Sequence, residues 1–140
     1  MEFALVVLPL VLILFGIISY GVMLSFRQSL SQAAAEGARA AAVTFLEAEK
    51  TPEAAKAVTE AMDSFGVKCE GSSLKKGSKV VGTCDISEPG KCEPDAGAEI
   101  KCVTVVLTYD YKNNSIVPGF PGLGIVMPDT LTYEAQARVS

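Results

Sequence analysis

Apolar and polar residues follow three different periods along the chain, and each predicts a different element. Residues 3–26, FALVVLPLVLILFGIISYGVMLSF, carry no charge and are apolar on every side. At roughly 1.5 Å per residue they give about 36 Å of helix, enough to cross a hydrocarbon layer of about 30 Å. From Arg27 onward the helix formers continue, but the pattern becomes one-sided. Leu30, Ala34, Ala38, Ala41 and Phe45 recur at steps of three and four, while Gln28, Gln32, Glu36 and Arg39 fall on the other side. This reads as one helix from about residue 2 to 48, wholly apolar in its first half and amphipathic in its second.

TPEAAKAVTEAMDSFG, residues 51–66, has the start and stop signals of a second, short helix. Thr51 suits the N-cap, Pro52 the first helical position, and Gly66 the left-handed residue after the end. Ala54, Val58, Met62 and Phe65 form its apolar face. The period then falls to two. VKCEGSSLKKGSKVVGTCDI predicts a hairpin turning at Lys76-Gly77. Val103, Val105, Leu107, Tyr109 and Tyr111 share one face of a third strand, and Leu131, Tyr133, Ala135, Ala137 and Val139 one face of a fourth. Between these two lies a Pro/Gly-rich loop, IVPGFPGLGIVMP. The expected fold class is α+β. A long N-terminal helix carries a small antiparallel sheet of about four strands, with a short second helix. The division falls into 1–26, a transmembrane or filament-core helix, and 27–140, the amphipathic half plus an extracellular globular head.

Cysteine content adds staples to this picture. Cys69, Cys84, Cys92 and Cys102 all lie beyond the apolar segment. Their gaps of 14, 7 and 9 residues include no Cys-x-x-Cys, and the chain has no histidine, a poor fit to zinc. Two disulfides in an oxidising compartment are the better reading. With the turn at Lys76-Gly77, Lys75 opposes Ser78 and, counting outward, Cys69 opposes Cys84; Cys92 then pairs with Cys102. Cys69–Cys102 with Cys84–Cys92 is the competing connectivity.

Charge removes several function classes. The net charge of −4 argues against nucleic acid as a partner, and the lack of histidine removes the commonest general base and metal ligand. No catalytic pair and no phosphate-binding glycine loop is present, so no enzymatic activity and no cofactor are expected. Glu88, Glu93, Asp95 and Glu99 cluster around Cys92 without calcium-loop order and read as a solvated loop. Asn113-Asn114-Ser115 matches the glycosylation acceptor pattern at Asn113.

The apolar segment has two odd features. Its first basic neighbour, Arg27, comes after it, so the positive-inside rule alone would keep the head in the cytoplasm, against the cysteines. A short basic leader, removed before Met1, reconciles the two. Glu2 is also a carboxylate at the edge of oil; it needs either a membrane interface or a cation. The amine of Met1 on an adjacent copy is the obvious one. Pro9 should loosen the helix near its start, and Gly16 and Gly21 permit close helix packing.

EFALVVLPLVLILFGIISYG followed by QAAAEGARAAAV resembles the TadE-like pilins and pseudopilins of tight-adherence (Flp-type) pilus systems, relatives of type IV pilins. The likeness covers residues 2–43 and, more loosely, the last two strands and their loop. It implies a leader cut by a prepilin peptidase, and a subunit drawn from the cytoplasmic membrane into a filament by an assembly ATPase and a membrane platform protein. Copies of itself are the principal partners, with Met1, Glu2, Phe3, Pro9, Gly16 and Gly21 in the assembly region. A pilin used in surface attachment is thus the leading expectation. A monomeric membrane-anchored extracytoplasmic binding module, or a minor pseudopilin of the assembly machine, is the alternative.

Overall fold

A computed structural model of the chain describes residues 2–94, 99–118 and 127–139, apart from the side chain of Glu2. It is an α+β structure. Helix α1 spans Glu2–Val43 without interruption, passing through Pro9. Helix α2 spans Glu47–Ala61 and runs into a 3-10 turn at Asp63–Phe65. Gly66 closes that turn with φ of 67°, the left-handed conformation expected of it.

Two helix boundaries differ from the sequence expectation. The first helix ends at Val43 rather than near 48, and the second begins at Glu47 rather than after Thr51. Thr44 Oγ1 donates to the carbonyl of Ala40, a local bond that satisfies one end carbonyl of α1. Leu46, in extended conformation, stands at the N-cap of α2 with no side-chain cap. Pro52 therefore lies inside α2, in its second turn, where it removes the one backbone bond to Ala48. Phe45, placed on the apolar stripe by periodicity, falls in the break and is 95% exposed.

The sheet is fully antiparallel and has six strands rather than four: β1 Val67–Glu70, β2 Ser73–Lys76, β3 Lys79–Ile86, β4 Gly90–Lys91, β5 Lys101–Asp110 and β6 Thr130–Val139. The order is β1-β2-β3-β5, and β6 pairs along the whole of β5 on its other edge. β4 pairs with Lys101 and Cys102, beyond the stretch of β5 that pairs with β3. Every expected inward residue of β5 is buried: Val103, Val105, Leu107 and Tyr109, with Tyr111 just beyond. On β6, Leu131 and Val139 are buried, and Tyr133, Ala135 and Ala137 between them are half-buried on the same face.

The expected single hairpin is two. Chain reversals fall at Gly71-Ser72 and Gly77-Ser78, and both glycines take φ of 63°. Because Gly77, not Lys76, is the first turn residue, Lys76 opposes Lys79, one position from the expected register. A bulge follows: Leu74 faces Gly82 while Lys75 faces Val80, leaving Val81 unpaired and buried. Next to it, Gly82 passes so close to β5 that a Cβ there would lie 2.0 Å from the Thr108 carbonyl oxygen.

Cys69 bonds to Cys84 and Cys92 to Cys102. The first bridge does not arise from direct opposition in a hairpin, since Cys69 faces Leu74 in the ladder and β2 separates β1 from β3. It closes near the Gly71-Ser72 turn, where the Cys84 amide donates to the Ser72 carbonyl. The two Cα atoms stand 5.9 Å apart.

α1 from Met23 to Ala41 lies against the sheet and α2, and buries Met23, Phe26, Leu30, Ala33, Ala34, Ala38 and Ala41. Small residues let three layers approach closely. At Gly37 an added Cβ would meet Val58 Cγ2 at 2.7 Å, which is how tightly α2 crosses α1. The bridge between Cys69 and Cys84 spans 15 residues, and a loop of that length is stabilised by about 3 kcal/mol. Cys69→Ala with Cys84→Ala should lower the unfolding free energy in detergent micelles by about that amount, read as a shift of the urea midpoint.

Candidate assembly helix and its junction with the head

The residues that the fold leaves uncovered are the first half of α1. From Phe3 to Val22 nearly every apolar side chain is exposed, Phe3 at 84% and Ile17 at 66%. The stretch is long and apolar enough to cross a membrane, with mean hydropathy 2.7 and almost none of it buried against the chain's own head. An uncovered apolar surface of this size needs lipid or other protein around it. Among the described residues, nothing beyond the helix's own adjacent backbone lies within 4 Å of where a Cβ would stand at Gly16 or Gly21. Met1 and the side chain of Glu2 lie outside the described residues, so the structure places neither group against a partner.

The junction is built around Phe26, fully buried one residue before Arg27, the first basic residue. Its ring meets Tyr109 at 4.6 Å and Phe65 at 5.0 Å in edge-on geometry, and Tyr111 at 6.2 Å. These partners come from β5, its extension and the 3-10 turn, so one side chain ties the stalk to both layers of the head. Next to it, Arg27 Nε donates to the Tyr133 hydroxyl at 2.9 Å, a bond that raises the arginine's already high pKa. Tyr109 in turn donates to the Asn114 carbonyl at 2.8 Å. Periodicity placed Tyr109 on an inward face, but nothing in the spacing signalled Phe26 as the hub or Arg27–Tyr133 as a contact, because these contacts join residues from 39 to 106 positions apart in sequence.

Of the remaining candidates, Asn113 is exposed in the turn after β5 and donates its side-chain amide to Asp110 at 2.7 Å. In the acidic stretch, Asp95 falls outside the described residues. Among the described residues no group of His, Cys, Asp or Glu is arranged to hold a metal ion. The stretch 119–126 of the Pro/Gly-rich loop is likewise outside the described residues.

The family model described as TadE-like protein matches residues 1–39. The match covers the uncovered half of α1 and continues to Arg39 within the amphipathic half, so the resemblance read from the sequence is shown as far as residue 39. No curated protein and no solved structure matches the chain.

Phe26→Ala should cost about 3–5 kcal/mol, a large core truncation at the junction, seen as loss of the near-UV signal and a lower urea midpoint. Burial pushes the Tyr109 phenol up to about 12 from 10.0, aided by Tyr111 and Asp110, and Tyr111 also shifts up, chiefly through burial. The native state thus keeps protons that the unfolded chain releases above pH 10. The associated stability is complete below that pH and is lost as pH rises towards 12. Urea midpoints should fall across that window, and Tyr109→Phe should flatten part of the fall.

Proposed function

We propose that the chain is a structural, non-catalytic pilin subunit that polymerises through α1 into a Tad-type pilus. The observation that carries this reading is the uncovered apolar half of α1, which coincides with the TadE-like match. A lone anchor also satisfies an apolar surface. Yet Gly16 and Gly21, with open space above them, suit close packing of several identical helices, where small residues let backbones approach. Before assembly the same residues stand in the cytoplasmic membrane with the disulfide-bonded head outside. Afterwards they form the filament core. Prepilin peptidase, assembly ATPase and platform protein are the partners this pathway requires.

In that core Glu2 pairs with the Met1 amine of a neighbouring copy. A carboxylate in a dry interior is costly without a cation, so the pair rewards one axial register and penalises the others. Phe3 and Pro9 shape the same end of the helix. The role of the glutamate is testable in cells that make the pilus. Glu2→Ala should abolish filaments or leave few misregistered ones, while the chain still accumulates in the membrane. Gly16→Leu with Gly21→Leu should act likewise by separating the helices. Normal filament yield from both variants, scored by electron microscopy of sheared material, would contradict assembly through this helix.

A further inference from the structure

The end of the head nearest the stalk carries cations that have no ion-pair partner among the described residues. β5 descends from Lys101, whose Nζ is 3.5 Å from Glu47 beyond the far end of α1, to Asp110, one residue past the tyrosine that meets Phe26. β3 begins and β2 ends at this lower edge, where Lys79 and Lys76 face each other across the turn. Lys79 Nζ reaches the Asn113 carbonyl at 3.4 Å, and Lys76, Lys79, Lys112 and Asn113 line one open groove. Arg27 follows Phe26 at the same end.

Like charges directly opposed on neighbouring strands are destabilising, and among the described residues Lys76 and Lys79 have no carboxylate partner. Lys112 is paired with Asp129 at 3.4 Å, and the Asp110 carboxylate accepts from Asn113. Among the described residues no carboxylate lies within ion-pair distance of Arg27, Lys76 or Lys79. Arg27, Lys76 and Lys79 thus concentrate positive charge at one end of a chain whose net charge is −4, a surface that attracts anions.

Helix length says what that neighbour is while α1 stands in a bilayer, the reading on which this inference rests. Hydrocarbon about 30 Å thick that begins at Phe3 ends near Val22. Arg27 is then about 7 Å higher, within the headgroup layer. Tyr20 and Tyr133 flank Arg27 in the clefts at the neck, the amphipathic rings that favour this depth. We propose that Arg27, Lys76 and Lys79 form a rim that binds the headgroups of anionic phospholipids in the outer leaflet and seats the head on the membrane before extraction. Arg27 spends Nε on Tyr133, which leaves its two terminal nitrogens for a phosphate. The occupant is membrane lipid rather than soluble phosphate, because the stalk delivers the rim to that surface.

The test uses the full chain in a zwitterionic detergent, titrated with short-chain phosphatidylglycerol or phosphatidylcholine, with bound lipid counted by native mass spectrometry. Phosphatidylglycerol should be retained in preference to phosphatidylcholine. Arg27→Gln with Lys76→Gln and Lys79→Gln should weaken that retention on the order of 100-fold, at about fivefold per basic residue. Arg39→Gln with Lys56→Gln and Lys91→Gln should leave it unchanged, and Arg27→Lys with Lys76→Arg and Lys79→Arg should preserve it. Equal retention by the rim variant and the parent overturns the proposal. So does full competition by glycerol phosphate, which would mark a soluble-anion site, or loss of filaments with lipid retention intact, which would assign the rim to contacts between copies. Alkaline carbonate extraction of the parent separates the two failures: release from membranes refutes the bilayer reading itself, whereas retention confines a negative result to the rim.

Discussion

One helix must satisfy two environments, and the chain supplies only one of them. From Met23 to Ala41, α1 has a sheet and a second helix against its apolar side. From Phe3 to Val22 it has almost nothing of its own chain. No turn separates the halves, so the environment changes along a continuous rod, and Phe26 marks the change. Because its ring is held by residues from the 3-10 turn and from β5, the head cannot pivot freely about the stalk. The orientation of the head is therefore fixed by packing at the junction rather than by a linker. In the proposed filament, that rigidity would let the register of the helices determine the position of every head.

The head is small, and its means of stability follow from that. Ala33, Ala34, Ala38 and Gly37 reduce α1 to a near-smooth surface on which α2 and the sheet settle at close range. Two disulfides restrain the loops that a modest core would hold poorly. Cys69–Cys84 ties the outer strand β1 to β3, and Cys92–Cys102 fixes the irregular segment after β4 to β5. β5, with β6 paired along its whole length, carries the continuous buried face.

Where one face is buried and the other wet, the sequence was easy to read. Tyr109 and Leu107 on β5 and Leu131 on β6 follow strict alternation because their strands are regular for ten residues each. The left-handed Gly66 was legible for a similar reason, since few residues but glycine suit that conformation. Local propensity failed where it was nearly neutral. Thr44, Phe45 and Leu46 continue a helical pattern, yet the chain breaks there, and Pro52 looks like a helix start although it sits in a second turn. Between Cys69 and Cys84 the error was one of counting. A second turn at Gly71-Ser72 and the bulge at Val81 shift positions without altering composition, so a single hairpin drawn through the same residues has the wrong register. The junction was illegible for a different reason. Phe26 lies in an unbroken apolar run, and only the fold reveals that it belongs to the head rather than to the stalk.

The central claim is that the uncovered half of α1 is covered by other copies of itself. Cryo-electron microscopy of sheared surface filaments, with mass spectrometry of their main band, measures this directly. The account predicts that this chain is the principal component and that residues 3–22 of neighbouring copies pack side by side along the filament axis. Filaments that lack the chain, together with single copies of α1 surrounded only by lipid, would contradict it.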